Sequence, residues 1–352
     1  CRNNDYSLTK GGFILDYGQE TRNPTRVEGR FSPPATLRLL SPYDLGSPAE
    51  FWASQVEEAK PVLGAQWQVS GDFTHFFALQ NVEGASALAD KDLDEVFAQA
   101  LERSKLLGSA LKVETPDPYF NTLGGALTAA ADGLWEDVWL HGAIGWRMPL
   151  NGWRAAYTGD FIGWSERNRR HFSRYAASQV TALEPVLPHA TPDSALNLAR
   201  PLKQWGTQMY SNGYISRNPE NPNQMHHYNM NLVYIDALLW HLNWTGDLSY
   251  AREVWPVLKA HLEWEKRNYD PDNDGLYDAC AAIWASDALY YNSGAVTYTS
   301  AYNYRANRLV ALVAQKIGED PGPYQKEAER ILEALNQRLW LEGEGHWAEF
   351  QD

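Results

Sequence analysis

The 352-residue chain is 44% apolar and 21% charged and carries a formal net charge of −14. That balance belongs to a globular protein long enough to bury a real core, in one large domain or two smaller ones. It disfavours nucleic acid, whose binding needs clustered Lys and Arg, and no apolar run approaches the ~18 residues of a membrane-spanning helix. The charge also counts against polyanionic glycans, unless a local basic groove overrides the total.

Fifteen Trp and nineteen Tyr stand out in the composition. Aromatic side chains on this scale serve a core, or a site for a partly apolar, partly hydroxylated ligand. Cys1 and Cys280 are the only cysteines, so there is no disulfide framework. A chain that starts on Cys is either a fragment or a processed protein. If Cys1 is a lipoprotein acceptor, the expectation is export to the periplasm or cell surface.

Residues 1–84 read as a β-rich, sandwich-like segment. Its runs are Gly12–Asp16, Thr36–Leu40 and Phe73–Ala78, broken by Pro33, Pro34, Pro42 and Pro48, with a short helix from Pro48 to Val62. Residues 85–114 read as a linker helix, with Leu88, Leu93, Val96, Phe97, Ala100 and Leu101 at helical spacing. Residues 115–352 are nearly all helix and loop. The expected helices cover about Thr115–Leu134, Gly163–Thr181, Asp193–Tyr210, Tyr228–Trp244, Asp247–Arg267, Thr297–Ile317 and Gly322–Trp340. Thr245-Gly246-Asp247 is a stop followed by an N-cap, and Gly318-Glu-Asp-Pro321 is another, so each should close a tight αα-hairpin. Such hairpins with long aromatic loops at alternate ends predict a mainly α fold, an (α/α)6-toroid-like domain. About seven helices fall short of the twelve that six hairpins make. The expectation is therefore a partial toroid, completed by more chain or by a partner.

Four constellations carry chemistry. The first contains Trp135, Glu136, Asp137, Trp146, Arg147, Trp153, Arg154 and Asp160 within one connection. It reads as a structural ion-pair network, or as a sugar subsite of stacking Trp and gripping charges. The second is His226-His227-Tyr228-Asn229. Its acid, Asp236, lies too far along for a zinc motif, but His, Tyr and Asn together could serve β-elimination on uronic acids. The third runs from Asp270 to Tyr291. Asp270, Asp272, Asp274 and Asp278 with Gly275 fit the first nine positions of a calcium loop. Ala281 stands where its bidentate Glu belongs, so an Asp/Asn/Gly turn competes with calcium as the only cofactor in question. In the same stretch Asp287 sits among Trp284, Leu289, Tyr290 and Tyr291. Those apolar neighbours favour a protonated carboxyl, as a general acid requires; otherwise Asp287 caps a helix or pairs with Arg305. The fourth places Glu349 between Trp347 and Phe350.

Thr115-Pro-Asp-Pro118, Asn151-Gly-Trp-Arg154, Asn273-Asp-Gly-Leu276, Trp284-Ala-Ser-Asp287 and Ser300-Ala-Tyr-Asn-Tyr-Arg305 together resemble bacterial six-hairpin-toroid glycoside hydrolases. The similarity is greatest to large exported proteins of glycan-degrading Bacteroidetes. It implies a β-sandwich before the toroid and hydrolysis of a glycosidic bond, usually with inversion. Arg154-Ala-Ala-Tyr-Thr-Gly-Asp160 is similar to the second half of the acid motif of α-L-rhamnosidases, but Trp153 occupies the acid's position. Ser293-Gly294-Ala295 resembles the acid loop of trehalase- and glucosidase-type toroids, but Val296 stands where its Asp belongs. Neither acid transfers. The sequence reading is thus a glycoside hydrolase acting on a plant or host polysaccharide or oligosaccharide. Asp287 is the expected general acid, with Glu136 or Asp137 as substitutes, and the base is either Glu349 or lies beyond Asp352. Trp135, Trp146, Arg147, Trp153, Arg154, Asp160, His226, His227, Asn229, Trp284, Tyr290 and Arg305 are the expected substrate contacts. A polysaccharide lyase using the His-Tyr-Asn cluster, and a glycan-binding module without catalysis, remain open beside it.

Overall fold

The computed structural model describes residues 5–17, 25–43, 46–54, 61–82, 92–143, 146–184, 190–193, 198–201, 205–206, 210–224, 230–278 and 294–351. The chain divides into two compact units, Cys1–Leu107 and Gly108–Asp352.

In the first unit, strands β1 (Asp5–Thr9), β2 (Gly12–Tyr17), β3 (Thr25–Ser32) and β6 (Phe76–Val82) form an antiparallel sheet in the order β1-β2-β3-β6. Strands β4 (Thr36–Leu40) and β5 (Val62–Gln66) form a separate ribbon. The pairings Gly29↔Phe13 and Phe31↔Phe77 put three Phe rings on one sheet face. Gly29 is required there, since a Cβ at that position would lie 2.1 Å from the Phe13 ring. Ser47 caps α1 (Pro48–Ala53) by accepting from the Glu50 amide. The helix ends well before Val62, where the sequence reading extended it, because Pro61 disfavours helix before it and Val62–Gln66 pairs with β4. Helix α2 (Leu93–Ser109) follows, and its Phe97 meets Phe76 of the sheet at 5.5 Å.

The second unit is helix-rich. A 3₁₀ turn at Phe120–Thr122 leads into α3 (Leu123–Gly133), so the helix expected from Thr115 starts later, beyond Pro116 and Pro118. A hairpin of β7 (Leu140–Ala143) and β8 (Trp146–Pro149) and the 3₁₀ turn Arg154–Tyr157 precede α4 (Ser165–Ala176). The helix expected over Asp193–Tyr210 is not formed. Strands β9 (Ala190–Asp193) and β10 (Leu198–Pro201) pair there instead, and Pro192 and Pro201, which lack amide protons, are tolerable at such edges.

Helices α5 (Met230–Thr245) and α6 (Leu248–Tyr269) close the first expected hairpin. Gly246 takes φ +63° and the Asp247 carboxylate accepts from the Tyr250 amide. Strand β11 (Ala295–Val296) opens α7 (Thr297–Ile317), which turns through Gly318, at φ +87°, into α8 (Gly322–Ala334). Helix α8 widens into a π turn at Leu335–Leu339, so the expected extension to Trp340 is not α-helical. Strands β12 (Trp340–Leu341), β13 (His346–Trp347) and β14 (Phe350–Gln351) finish the chain, and β14 pairs with β11.

Helix α5 is buried on nearly every side, as an apolar helix should be, and it packs on α4, α6 and α7. Its Tyr234, Leu238 and Leu242 join Phe172, Tyr175, Tyr250, Leu258 and Val310 in the main core. No described helix is long and apolar enough to cross a membrane.

Candidate functional site

The loop from Asn151 to Asp160 is pinned to the helices on both sides. Asn168 of α4 accepts from the Trp139 indole at 2.8 Å and donates to the Ala156 carbonyl at 2.9 Å. Gly159 packs so tightly on Asn168 that a Cβ would lie 2.3 Å from its side-chain oxygen, and Gly152 stands equally close to the Met230 carbonyl of α5. His171 accepts from the Trp139 amide and donates through Nε2 to the Asn151 carbonyl. Burial lowers its pKa to about 3, so it is the neutral imidazole this pattern needs.

Asp160 ends the loop. The sequence reading set it at a sugar subsite, but its side chain has no exposed surface and bonds His241 Nδ1 of α5 at 2.9 Å. It anchors the loop.

These anchors bring Tyr157 to Asp236 of α5. The Tyr157 hydroxyl donates to Asp236 Oδ2 at 2.6 Å, and Arg305 Nε of α7 donates to Oδ1 at the same distance. Both carboxylate oxygens are thus engaged by short, charge-assisted bonds. Tyr298, Tyr302 and Arg305 follow one another at helical spacing along α7. The Tyr302 hydroxyl is pushed up to about 12, chiefly by burial and then by Asp236, while Arg154 and Arg305 pull the other way. Tyr157 is raised further, by burial and the facing Asp236 charge. Both phenols therefore stay protonated and act as donors. Arg305 keeps 46% of its side chain exposed and Arg154 is exposed as well.

Of the expected contacts, Arg154 and Arg305 enter this cluster. Trp153 adjoins it, its ring set edge-on to His141 at 4.2 Å. Asp236 and Tyr157 carry the centre, although neither was weighed as a sugar contact from sequence. The available signal was a lone carboxylate within an otherwise apolar helix.

The remaining candidates lie elsewhere. Glu136 pairs with Arg147 at 2.7 Å, and Asp137, at φ +67°, pairs with Arg174 at 2.8 Å and with Arg170. Glu136, Asp137, Arg147 and Arg174 line a separate cavity of about 150 Å³. Trp135 stacks edge-on to Trp139 at 4.9 Å, beneath the Arg167 guanidinium. Glu349 is exposed beside the start of α7, where its carbonyl accepts from the Thr297 amide. Asp287, Trp284, Tyr290, His226, His227 and Asn229 lie outside the described residues, as does the side chain of Trp146.

The carboxylates of Asp270, Asp272 and Asp274 lie within 4.8 Å of one another. Arg330 pairs with Asp270 and Arg338 with Asp274, while the Leu276 and Gly275 amides donate to Asp274 and Asp270. With Asn273 and Gly275 at positive φ this is an Asp/Asn/Gly turn whose charge two arginines offset. Asp278, expected with them, is raised to about 6 by burial and by its three acidic neighbours.

A second polar cluster fills the seam between α6 and α7. Glu265 is fully buried and accepts from Asn303 at 3.0 Å, while its other oxygen lies 3.8 Å from His261 Nε2. Burial raises Glu265 to about 8 and lowers His261 to about 3, so both are neutral at pH 7. Among the described residues, both His261 ring nitrogens and single oxygens of Glu265, Asn268, Thr299 and Asn303 have no hydrogen-bond partner.

A family model described as "Domain of unknown function (DUF4450)" matches residues 1–101. No curated protein matches the chain. Among solved structures, a rhamnosidase from Klebsiella oxytoca with rhamnose bound is similar at 14% identity and a TM-score of 0.46, over 98% of this chain and 66% of that one. A GH78 family rhamnosidase of Bacillus sp. GL1 is similar at 14% identity and a TM-score of 0.39, over 99% of this chain and 34% of that one. The chain thus spans about two thirds and one third of their lengths.

Proposed function

We propose that the chain belongs to a glycoside hydrolase, and that its second unit is an arc of an (α/α) toroid with a sugar held against the Asp236 cluster. The observation that carries this is the convergence of Arg154, Tyr157, Asp236, Tyr302 and Arg305 from three distant stretches. Fixed hydroxyl and guanidinium donors around a carboxylate suit a polyhydroxylated ligand. The toroid reading is supported by two successive αα-hairpins in which α7 packs on both α5 and α6.

The chemical step needs an acid and a base on opposite sides of the scissile bond. Asp287 is the acid in this reading and Glu349 the base. Support comes from the β11–β14 pairing, which sets Glu349 beside β11, eight residues after Asp287 in the sequence, at the head of the Tyr298–Tyr302–Arg305 stripe. Asp236 holds Arg305 and Tyr157 in place.

The test is mass spectrometry of products from a panel of plant and host polysaccharides. Sugars that have gained water are expected, with turnover lost in Asp287→Asn and in Glu349→Gln while sugar binding survives. Products with an unsaturated uronic end would replace hydrolysis by elimination. Saturable binding without product would leave a glycan-binding module.

A further inference from the structure

Arg305 is held in an unusual way. Among the described residues only its Nε is engaged, by a carboxylate that Tyr157 fixes from the other side. Its two terminal nitrogens have no hydrogen-bond partner among the described residues, and 46% of the side chain is exposed. An arginine side chain ordinarily loses considerable rotamer freedom on binding, and here the protein has already restricted it. What remains is a planar pair of N–H donors with the protonated Tyr302 hydroxyl beside it and the Arg154 charge close by.

A neutral sugar hydroxyl takes one such donor at a time. A carboxylate accepts both in parallel, and a guanidinium fork matches that geometry where an ammonium does not. Resting on the sugar-processing reading of this cluster, we propose that its ligand carries a carboxylate, as a uronic acid does, and that the Nη1/Nη2 edge of Arg305 grips it. Asp236 does not repel such a ligand directly, because the guanidinium stands between the two carboxylates and both Asp236 oxygens are engaged. The net charge of −14 is no obstacle on this scale, since exposed charges more than about a Debye length away are screened at physiological salt.

The test uses oligosaccharides from partial digests of plant and host polysaccharides, offered to the immobilised full chain before and after chemical reduction of their carboxyl groups. Reduction turns each uronate into its neutral sugar and leaves the linkages intact. The captured fraction, read by mass spectrometry, should be rich in uronates, and reduction should cut capture by about tenfold or more. Arg305→Lys keeps the charge beside Asp236 but loses the fork, and should lose the preference for unreduced sugar while its melting temperature stays near that of the parent. Capture indifferent to reduction would overturn the proposal and leave the sugar reading standing. A preference undiminished in Arg305→Lys would remove Arg305 as the reader. Capture of no sugar in either form would overturn the sugar reading, and the proposal with it.

Discussion

Helix α7 carries two polar stripes that have met opposite fates. Tyr302 and Arg305 face Asp236 of α5, where both carboxylate oxygens are engaged and one cation remains partly in water. Thr299 and Asn303 face Glu265 and His261 of α6, where everything is buried and most of the polar side-chain atoms have no partner among the described residues. The residue types are much alike. The difference is that the carboxylate of the first cluster meets a donor at each oxygen, while the second is neutral because burial left its groups too few partners to stay ionised. A polar group in the first stripe should stabilise the fold, and one in the second should strain it.

The largest expected effect comes from the buried stripe. The folded pKa of Glu265 is raised from 4.5 to about 8, so the native state holds a proton that the unfolded chain releases. Its contribution is whole below about 4.5 and falls as pH rises towards 8. His261 works in the other direction, with stability rising between about 3 and 6.5, and His171 adds to that limb. Between pH 6.5 and 8 Glu265 acts without them, and stability should fall by about 2 kcal/mol. Urea titrations across that window should show the fall in the parent and a flat line in Glu265→Gln. An equal fall in both proteins would mean that Glu265 is ionised throughout, and the contrast between the two stripes would fail.

The matched stripe gives the next effect. Tyr157→Phe removes a 2.6 Å bond to a carboxylate that is largely withdrawn from water. Hydrogen bonds to charged groups contribute roughly 1.5–3 kcal/mol, and the exposure of Arg305 places this one near the lower end. Denaturant unfolding at neutral pH should show a loss of about 1.5 kcal/mol. A neutral substitution would put Asp236 in open solvent and deprive Arg305 of its anchor.

The sequence disclosed these stripes unevenly. The hairpin turns at Thr245–Asp247 and Gly318–Pro321 were legible because a stop and a cap are local chemistry, written in two or three residues. Arg154 and Arg305 were legible as charges in aromatic surroundings. Asp236 was not, because its partners lie 79 and 69 residues away and only packing brings them together. Asp160 was misplaced for the same reason: nothing local tells a carboxylate that meets solvent from one that meets His241. The helix expected over Asp193–Tyr210 gives way to the pairing of β9 with β10, whose edges suit Pro192 and Pro201.

The smallest effect has the opposite sign from the Tyr157 result. Thr299 is 1% exposed, and its hydroxyl has no hydrogen-bond partner among the described residues. Valine has the same branched shape and replaces that oxygen with a methyl group, which gains from the burial the hydroxyl resists. An orphaned polar atom costs about 1–3 kcal/mol, though relaxation and helix propensity return part of it. Thr299→Val should therefore raise stability by up to about 1 kcal/mol, seen as a higher urea midpoint with an unchanged slope. The backbone carbonyl of Thr299, which accepts from Asn303, is left intact by the change. A destabilised variant would mean that the hydroxyl is satisfied by buried water, and that the seam is a hydrated network matched in its own way.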